Sequence, residues 1–317
     1  MGDGYKERPS THKFILPTYH PSPITYHLLL RRFLMGRALA ILIWLLTLGS
    51  VVLFFSGWWF PESISEYGPP IDRQFMITIV VVGIAFVAAQ VGLGYVVWQY
   101  GQNKNDREER ALYTHGNNRL EVIWTVITAV IFIALAVMGQ RVWAQFHFEA
   151  APAGSYQVRV VAQQFQWNFH YSGRDGKFGR TDPTLVVDAD QNYIGLDPKD
   201  PAAKDDASVS ALAVPVNRPV ELILRAKDVT HSFWVPQLRF KQDLVPGMEN
   251  SVHFTANKVG KYELACAELC GQFHFRMKSF LLVLPEAEHT QLASLDVNEF
   301  RARIAELLLK YDPVVSN

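Results

Sequence analysis

The chain changes its hydrophobic rhythm near residue 143. Before that point the apolar residues come in long runs: Ala38–Phe60, Met76–Tyr100 and Leu120–Val142. At a helical rise of 1.5 Å per residue each run spans roughly 30–35 Å, enough to cross the hydrocarbon core of a bilayer. Ala38–Leu48 and Met76–Ala89 are apolar on all sides, whereas a surface helix of a soluble domain would keep a polar face. Three transmembrane helices are predicted. After Ser155 the pattern becomes short segments rich in β-branched and aromatic residues, separated by Gly, Pro, Asn and Asp. Tyr156–Tyr171, Pro219–Arg225, Ser251–Thr255, Lys261–Cys266 and Ser279–Leu284 read as strands. Many short strands with no long helix between them predict an antiparallel sandwich or barrel up to Pro285. Phe300, Ile304, Leu307 and Leu308 recur at helical spacing within Asp296–Tyr311, predicting an amphipathic helix.

The basic residues orient the predicted helices. Residues 1–37 carry six (Lys6, Arg8, Lys13, Arg31, Arg32, Arg37), the connection 61–75 carries only Arg73, and 101–119 carries four (Lys104, Arg107, Arg110, Arg119). By the positive-inside rule the N-terminus and second connection are cytoplasmic, so the region after about residue 143 is extracytoplasmic. The first apolar run exceeds the usual ~7–15 residues of a signal peptide and is followed by no small-residue cleavage site, so a retained helix is expected. Phe55, Trp58, Trp59 and Phe60 resemble an interfacial aromatic belt. The expected organisation is a cytoplasmic extension (1–37), a membrane region (38–143), an extracytoplasmic β-domain (150–286) and a helical tail (287–317). Residues 182–206 form a polar insertion with seven Asp and two Lys, either a solvated loop or a docking element.

Composition narrows the function. Hydrophobic residues make up 49% and charged residues 19%, with 30 basic and 30 acidic side chains and zero formal charge. That balance leaves no broad electrostatic footprint for nucleic acid. Only two cysteines are present, Cys266 and Cys270, both in one short loop, which argues against a disulfide scaffold.

That loop carries the chemistry. It reads Cys-Ala-Glu-Leu-Cys-Gly-Gln-Phe-His-Phe-Arg-Met, from Cys266 to Met277, with His274 inside it and His231 upstream in Thr-His-Ser-Phe-Trp-Val-Pro. Thiolate, imidazole and thioether form a soft donor set that suits copper rather than magnesium, calcium or manganese. One thiolate with two His and an axial Met would be a mononuclear blue-copper site; a second thiolate allows two sulfurs to bridge two metal ions. Cys-x3-Cys alone in an exported domain would also fit a disulfide. The joint spacing with His274, Met277 and His231 favours the metal. His170 and His253 read as structural or surface residues.

Together with Leu-Glu-Val-Ile-Trp-Thr (120–125), Gln-Phe-Gln-Trp-Asn-Phe (164–169), Lys-Asp-Val-Thr-His-Ser-Phe-Trp-Val-Pro (227–236) and Lys-Gln-Asp-Leu-Val-Pro-Gly (241–247), the loop resembles subunit II of the haem–copper cytochrome c oxidases over about residues 70–285. The resemblance implies a three-helix membrane anchor followed by an all-β cupredoxin-like Greek-key barrel with a binuclear copper centre (CuA). It implies that Cys266 and Cys270 bridge two copper ions, that His231 and His274 each bind one, and that Met277 and the Glu268 carbonyl are weak ligands. The Glu268 carboxylate would hold a magnesium or manganese ion shared with subunit I, and Glu121 would lie at the mouth of a proton channel. The family's usual Gln-Trp-x-Trp reads Gln-Phe-Gln-Trp here, with Phe165 in the first Trp position, so Phe165, Trp167 and Trp234 are all candidates for receiving electrons. The implied partners are subunit I and other oxidase subunits, cytochrome c or a membrane-bound cytochrome donor, membrane lipid and a respiratory supercomplex. The implied location is a bacterial-type inner or plasma membrane. The extension before the first helix is expected to lie along partner subunits on the cytoplasmic face. The rival reading is a membrane-anchored copper chaperone of thioredoxin-like fold, but residues 150–285 lack the alternation of strands and helices which that fold requires. A quinol-oxidase subunit would lack the copper ligands, and a nitrous-oxide reductase would need a large propeller domain.

Overall fold

A computed structural model describes residues 23–57, 60–100, 115–187 and 192–312. The predicted extension up to residue 22, part of the aromatic belt and most of the second connection lie outside the described residues. Three long helices come first: α1 (Pro23–Ser56), α2 (Gly68–Tyr100) and α3 (Asn118–His147). Each contains a stretch long and apolar enough to cross a membrane: Leu34–Ser56, Gly68–Tyr100 and Asn118–Gln145. α1 and α2 begin well before the expected apolar spans, because a helix continues past its membrane-length segment wherever no breaker stops it.

The described residues fall into two units. In one, α1 packs on the second half of α2. Trp44 stacks on Trp98 with ring centroids 5.9 Å apart, and its indole N–H donates to the Val91 carbonyl at 3.4 Å. Gly94 makes room for it, since a Cβ there would lie 2.2 Å from Trp44 Nε1.

The second unit holds the start of α2, α3 and everything after it. α3 is capped by Asn117, whose side chain accepts from the Arg119 and Leu120 amides. Ten strands follow: β1 (Tyr156–Gln163), β2 (Gln166–Tyr171), β3 (Ala207–Val209), β4 (Leu212–Pro215), β5 (Pro219–Ala226), β6 (His231–Val235), β7 (Phe240–Leu244), β8 (Asn250–Thr255), β9 (Gly260–Cys266) and β10 (Lys278–Leu284). They form two five-stranded sheets, ordered β3-β2-β1-β5-β8 and β4-β10-β9-β6-β7. The alternation of strand side chains puts Val158, Val160 and Ala162 of β1 and Val220, Leu222 and Leu224 of β5 into the core. There they join Trp167, Phe169, Phe233, Phe254 and Leu264, all at most 1% exposed. Burying side chains of this size contributes about 1.5–3 kcal/mol each.

The sandwich departs from the expected all-antiparallel pairing. β1 pairs with β5, and β4 with β10, in parallel. Strand periodicity locates a strand but not its partner, and parallel neighbours need a long crossover. The chain from β2 through the 182–206 insertion to β4 provides one of these crossovers. The predicted Tyr156–Tyr171 strand is a β1–β2 hairpin, with Arg159 opposite His170 and Gln163 opposite Gln166. β3, β4, β6 and β7 fall outside the five predicted segments, being short or interrupted by charge.

The described parts of the insertion are tied down rather than free. His170 Nε2 meets Asp206 Oδ2 at 2.5 Å, both side chains fully buried, and the Gly179 amide donates to the same oxygen at 2.7 Å. Arg180 pairs with Asp197, and its amide donates to Asp200. His253 is also structural: its Nδ1 lies 2.8 Å from the Tyr67 hydroxyl and its Nε2 lies 3.0 Å from the Glu149 carbonyl. Two helices close the chain, α4 (Glu286–Ser294) and α5 (Val297–Lys310). The second is the expected amphipathic helix, capped by Asp296 and burying Phe300, Ile304 and Leu307.

Candidate metal centre

The cluster forms where two strands of one sheet end. His231 opens β6 and Cys266 closes β9, and these strands pair with Phe233 opposite Cys266. The loop after Cys266 returns through a 3₁₀ turn at His274–Arg276 to Met277, immediately before β10. Its ends are pinned to each other and to β6: the Cys266 amide donates to the Met277 carbonyl at 3.1 Å and the Ala267 amide to the Ser232 carbonyl at 3.0 Å. The sheet ladder thus positions the donors.

The donor atoms converge. Cys266 Sγ and Cys270 Sγ are 3.9 Å apart, far beyond a disulfide bond of about 2.05 Å. Cys266 Sγ lies 3.9 Å from His231 Nδ1 and 3.2 Å from the Glu268 carbonyl. Cys270 Sγ lies 3.6 Å from His274 Nδ1 and 3.8 Å from Met277 Sδ. Each sulfur therefore faces one imidazole nitrogen and one weaker donor. The ligating atoms of His231, Cys266 and Cys270 all lie within 4.8 Å of one another, and these three residues are buried. Met277 is 1% exposed and His274 is half-buried. The Glu268 carboxylate side is exposed, although its carbonyl faces the cluster. Five soft or borderline donors, preorganised and largely shielded from water, fit copper well.

Two residues that the sequence reading passed over hold the cluster together. Asp228 Oδ1 lies 2.9 Å from His231 Nε2, leaving Nδ1 turned toward the sulfurs. Asp228 also accepts from the amides of Gln164 and Val229, each at 2.7 Å. Gln164 then donates through Nε2 to the Cys270 carbonyl at 2.6 Å. The β1–β2 turn, the His231 strand and the cysteine loop are thereby joined. The position of Asp228, three residues before His231 in the Lys-Asp-Val-Thr-His segment, was the available signal, because carboxylate–imidazole pairs commonly orient metal ligands. Burial works against the ionised Asp228 carboxyl, but its donors outweigh burial and hold it below the usual range. Burial likewise works against a charged His231, yet Cys266 and Asp228 raise it above the ordinary histidine value. Burial pushes both thiols up. At Cys266 the hydrogen bonds from His231 and the neighbouring backbone win and bring it down to about 6. At Cys270 the negative charge on Cys266 adds to burial and takes it to about 11.

The aromatic candidates take different positions. Trp167 is 1% exposed and lies directly beneath the cluster: its ring is 6.4 Å from that of His231 and its indole N–H donates to the Met277 carbonyl at 3.4 Å. Phe165 is half-buried, edge-on to Phe273 at 5.4 Å. Gly271 lets it approach, since a Cβ on Gly271 would lie 3.1 Å from the Phe165 ring. Trp234 faces outward on β6 and is 39% exposed. Glu121 sits in the first turn of α3, remote in sequence from the β-domain.

A sandwich that follows helices long and apolar enough to cross a membrane, with paired thiols and imidazoles at the end of one sheet, defines the cupredoxin-like class with a candidate metal centre. Comparison with known proteins gives the family. The family model "Cytochrome C oxidase subunit II, periplasmic domain" matches residues 156–283, and "Cytochrome C oxidase subunit II, transmembrane domain" matches residues 68–142. The alternative cytochrome c oxidase subunit 2 of Bradyrhizobium diazoefficiens is 34% identical over 255 residues, covering 80% of this chain and 89% of its own length. Cytochrome c oxidase subunit 2 of Thermostichus vulcanus is 32% identical over 271 residues, covering 76% and 81%. Among solved structures, the periplasmic domain of subunit II of cytochrome oxidase of Bradyrhizobium japonicum aligns with 25% identity and a TM-score of 0.35, covering 48% of this chain and 99% of that one. The chain belongs to the cytochrome c oxidase subunit II family and is a subunit of a haem–copper oxidase, an oxidoreductase.

Proposed function

We propose that the chain is the electron-accepting subunit of its oxidase, taking electrons from cytochrome c or a membrane-bound equivalent and passing them to the haems of subunit I. There oxygen is reduced and protons are pumped. The observation that carries this reading is the pairing of two unbonded thiols 3.9 Å apart, each facing its own imidazole Nδ1. Cys266, Cys270, His231 and His274 would hold two copper ions, with Met277 and the Glu268 carbonyl as weak ligands. When bound, the copper pair supplies a one-electron couple shared over both ions. The chain's own residues do the rest. Asp228 fixes the His231 ring, the pinned loop keeps donor positions constant, and burial excludes water, which together keep reorganisation small. The exposed Glu268 carboxylate is placed to take a magnesium or manganese ion whose other ligands come from subunit I.

Phe165 and Trp234 reach the surface, whereas Trp167 would act only as a buried contact beneath the cluster. The proposed topology puts the N-terminus in the cytoplasm and the β-domain outside a bacterial-type inner or plasma membrane. Subunit I, further oxidase subunits, lipid and a supercomplex are the proposed partners.

Copper analysis of the purified oxidase tests the reading. Two copper ions in this subunit, with a mixed-valence hyperfine pattern spread over both, are expected; a single copper ion in it, or none, would overturn the binuclear reading. Glu121 allows a separate check. As a proton-channel residue, Glu121→Gln should slow turnover and leave the copper spectrum unchanged. If the carboxylate only favours the α3 N-terminus, the change would cost about 0.3–1 kcal/mol of stability and leave turnover intact.

A further inference from the structure

Arg239 occupies a left-handed backbone position, φ 69°, where L side chains other than Asn and Asp seldom sit. It ends the turn Pro236–Leu238, and its amide donates to the Pro236 carbonyl at 3.2 Å. That turn continues β6, the strand whose other end is His231. The guanidinium binds almost entirely to the anchor. Nε donates to Asp72 Oδ1 at 2.7 Å, Nη2 to Asp72 Oδ2 at 3.1 Å and to the Pro61 carbonyl at 2.5 Å, and Nη1 returns to the Pro236 carbonyl at 3.0 Å. The Arg239 side chain is 8% exposed and that of Asp72 31%. Asp72 lies in the second turn of α2, one of the three bilayer-length helices.

The same segment is joined to the sandwich by backbone bonds. The Ile64 amide donates to the Gln237 carbonyl at 3.0 Å, the Ser65 hydroxyl to the Leu238 carbonyl at 2.9 Å, and the Asn257 amide to the Ile64 carbonyl at 2.8 Å. These bonds attach the loop before α2. The Arg239–Asp72 pair goes one step further and joins α2 itself to the strand-and-turn unit that carries His231. A planar two-point guanidinium–carboxylate contact fixes orientation as well as distance, which a single-point Lys contact does not.

We propose that Arg239 is a positioning residue: its fork on Asp72 sets the height and tilt of the metal-bearing sandwich on α2, and so the distance from the cluster to its electron acceptor in subunit I. The inference rests on the electron-transfer reading above. Electron transfer between fixed centres falls exponentially with distance, so a small change in tilt at the far end of β6 alters the rate without touching a metal ligand.

The test uses the intact, purified oxidase. Arg239→Gly removes the fork and keeps the turn, because glycine accepts the left-handed conformation. The measurements are copper spectrum per chain, KM for the donor, kcat, and the rate of internal transfer from the cluster to the haem of subunit I after a light-triggered electron pulse. Copper signal and KM are expected to stay unchanged while internal transfer slows several-fold. The swapped pair Arg239→Asp with Asp72→Arg is expected to restore it, since Asp tolerates the left-handed backbone. If Arg239→Gly fails to assemble, Arg239→Lys decides: it keeps the charge and loses the fork, and slowed transfer is again expected. A normal copper signal with wild-type internal transfer in the variant that assembles overturns the inference alone. Absence of a copper signal in the wild-type complex overturns the electron-transfer reading, and this inference with it.

Discussion

Serine at Cys266 or Cys270 is expected to abolish electron transfer through this subunit while leaving the sandwich folded. The substitution changes volume little, so the ladder opposite Phe233 and the pinned loop ends persist. A hydroxyl, however, is a hard donor that stays protonated at neutral pH, whereas the thiolate is the species that binds soft metals. Losing either sulfur also removes one of the two bridges of the proposed centre, whose sulfurs lie 3.9 Å apart. The purified variants should lack the mixed-valence signal, and turnover with a soluble donor should fall to background. Amide exchange across the β-domain should match that of the wild type. Retained turnover with either serine variant would remove the cluster from the electron path. Loss of exchange protection throughout the β-domain would instead make the cysteines structural.

Acidification is expected to loosen the C-terminal helices from the sandwich between about pH 6.5 and pH 4. His289, in α4, is 2% exposed and sits edge-on to Tyr156 of β1, ring centroids 4.6 Å apart. Burial, helped by the nearby Arg218 charge, pulls its pKa from 6.5 down to about 4. A histidine depressed in the folded state binds its proton more readily when unfolded. Its contribution is therefore complete above pH 6.5 and is lost as pH falls toward the folded value. The interval corresponds to about 3 kcal/mol. Hydrogen exchange across Glu286–Ser294 in the intact oxidase should accelerate over this window. In His289→Leu, which cannot protonate, the acceleration should be much reduced. Equal pH dependence in both proteins would assign the effect to other groups, such as Glu288, whose carboxyl is held low by Lys310 and Tyr311 in spite of burial.

Most of the candidate metal centre was legible because its proposed donors are close in sequence. Cys266, Cys270, His274 and Met277 occupy one loop of twelve residues, and His231 lies in a recognisable segment. Asp228 and Gln164 were not legible as parts of it. A carboxylate and an amide are common surface residues, and only the folded chain brings the β1–β2 turn to the cysteine loop. The same reasoning applies to the insertion. Seven aspartates look like a solvated loop, yet Asp206 is buried against His170, a pairing 36 residues apart in sequence. Of the two histidines expected to be structural or surface residues, His170 is buried against Asp206 and His253 between the Tyr67 hydroxyl and the Glu149 carbonyl.

The sequence by itself determined the membrane-length helices, the β-rich character of the region after them and the soft donor set. These are local properties: run length, alternation and spacing survive in any conformation. Only the tertiary structure decided which strands pair in parallel, that Trp167 lies beneath the cluster while Phe165 packs on Gly271, and that Arg239 reaches back to Asp72. Each of these depends on contacts between segments far apart in the chain, and such contacts exist only once hydrophobic burial has brought the two sheets and the start of α2 together.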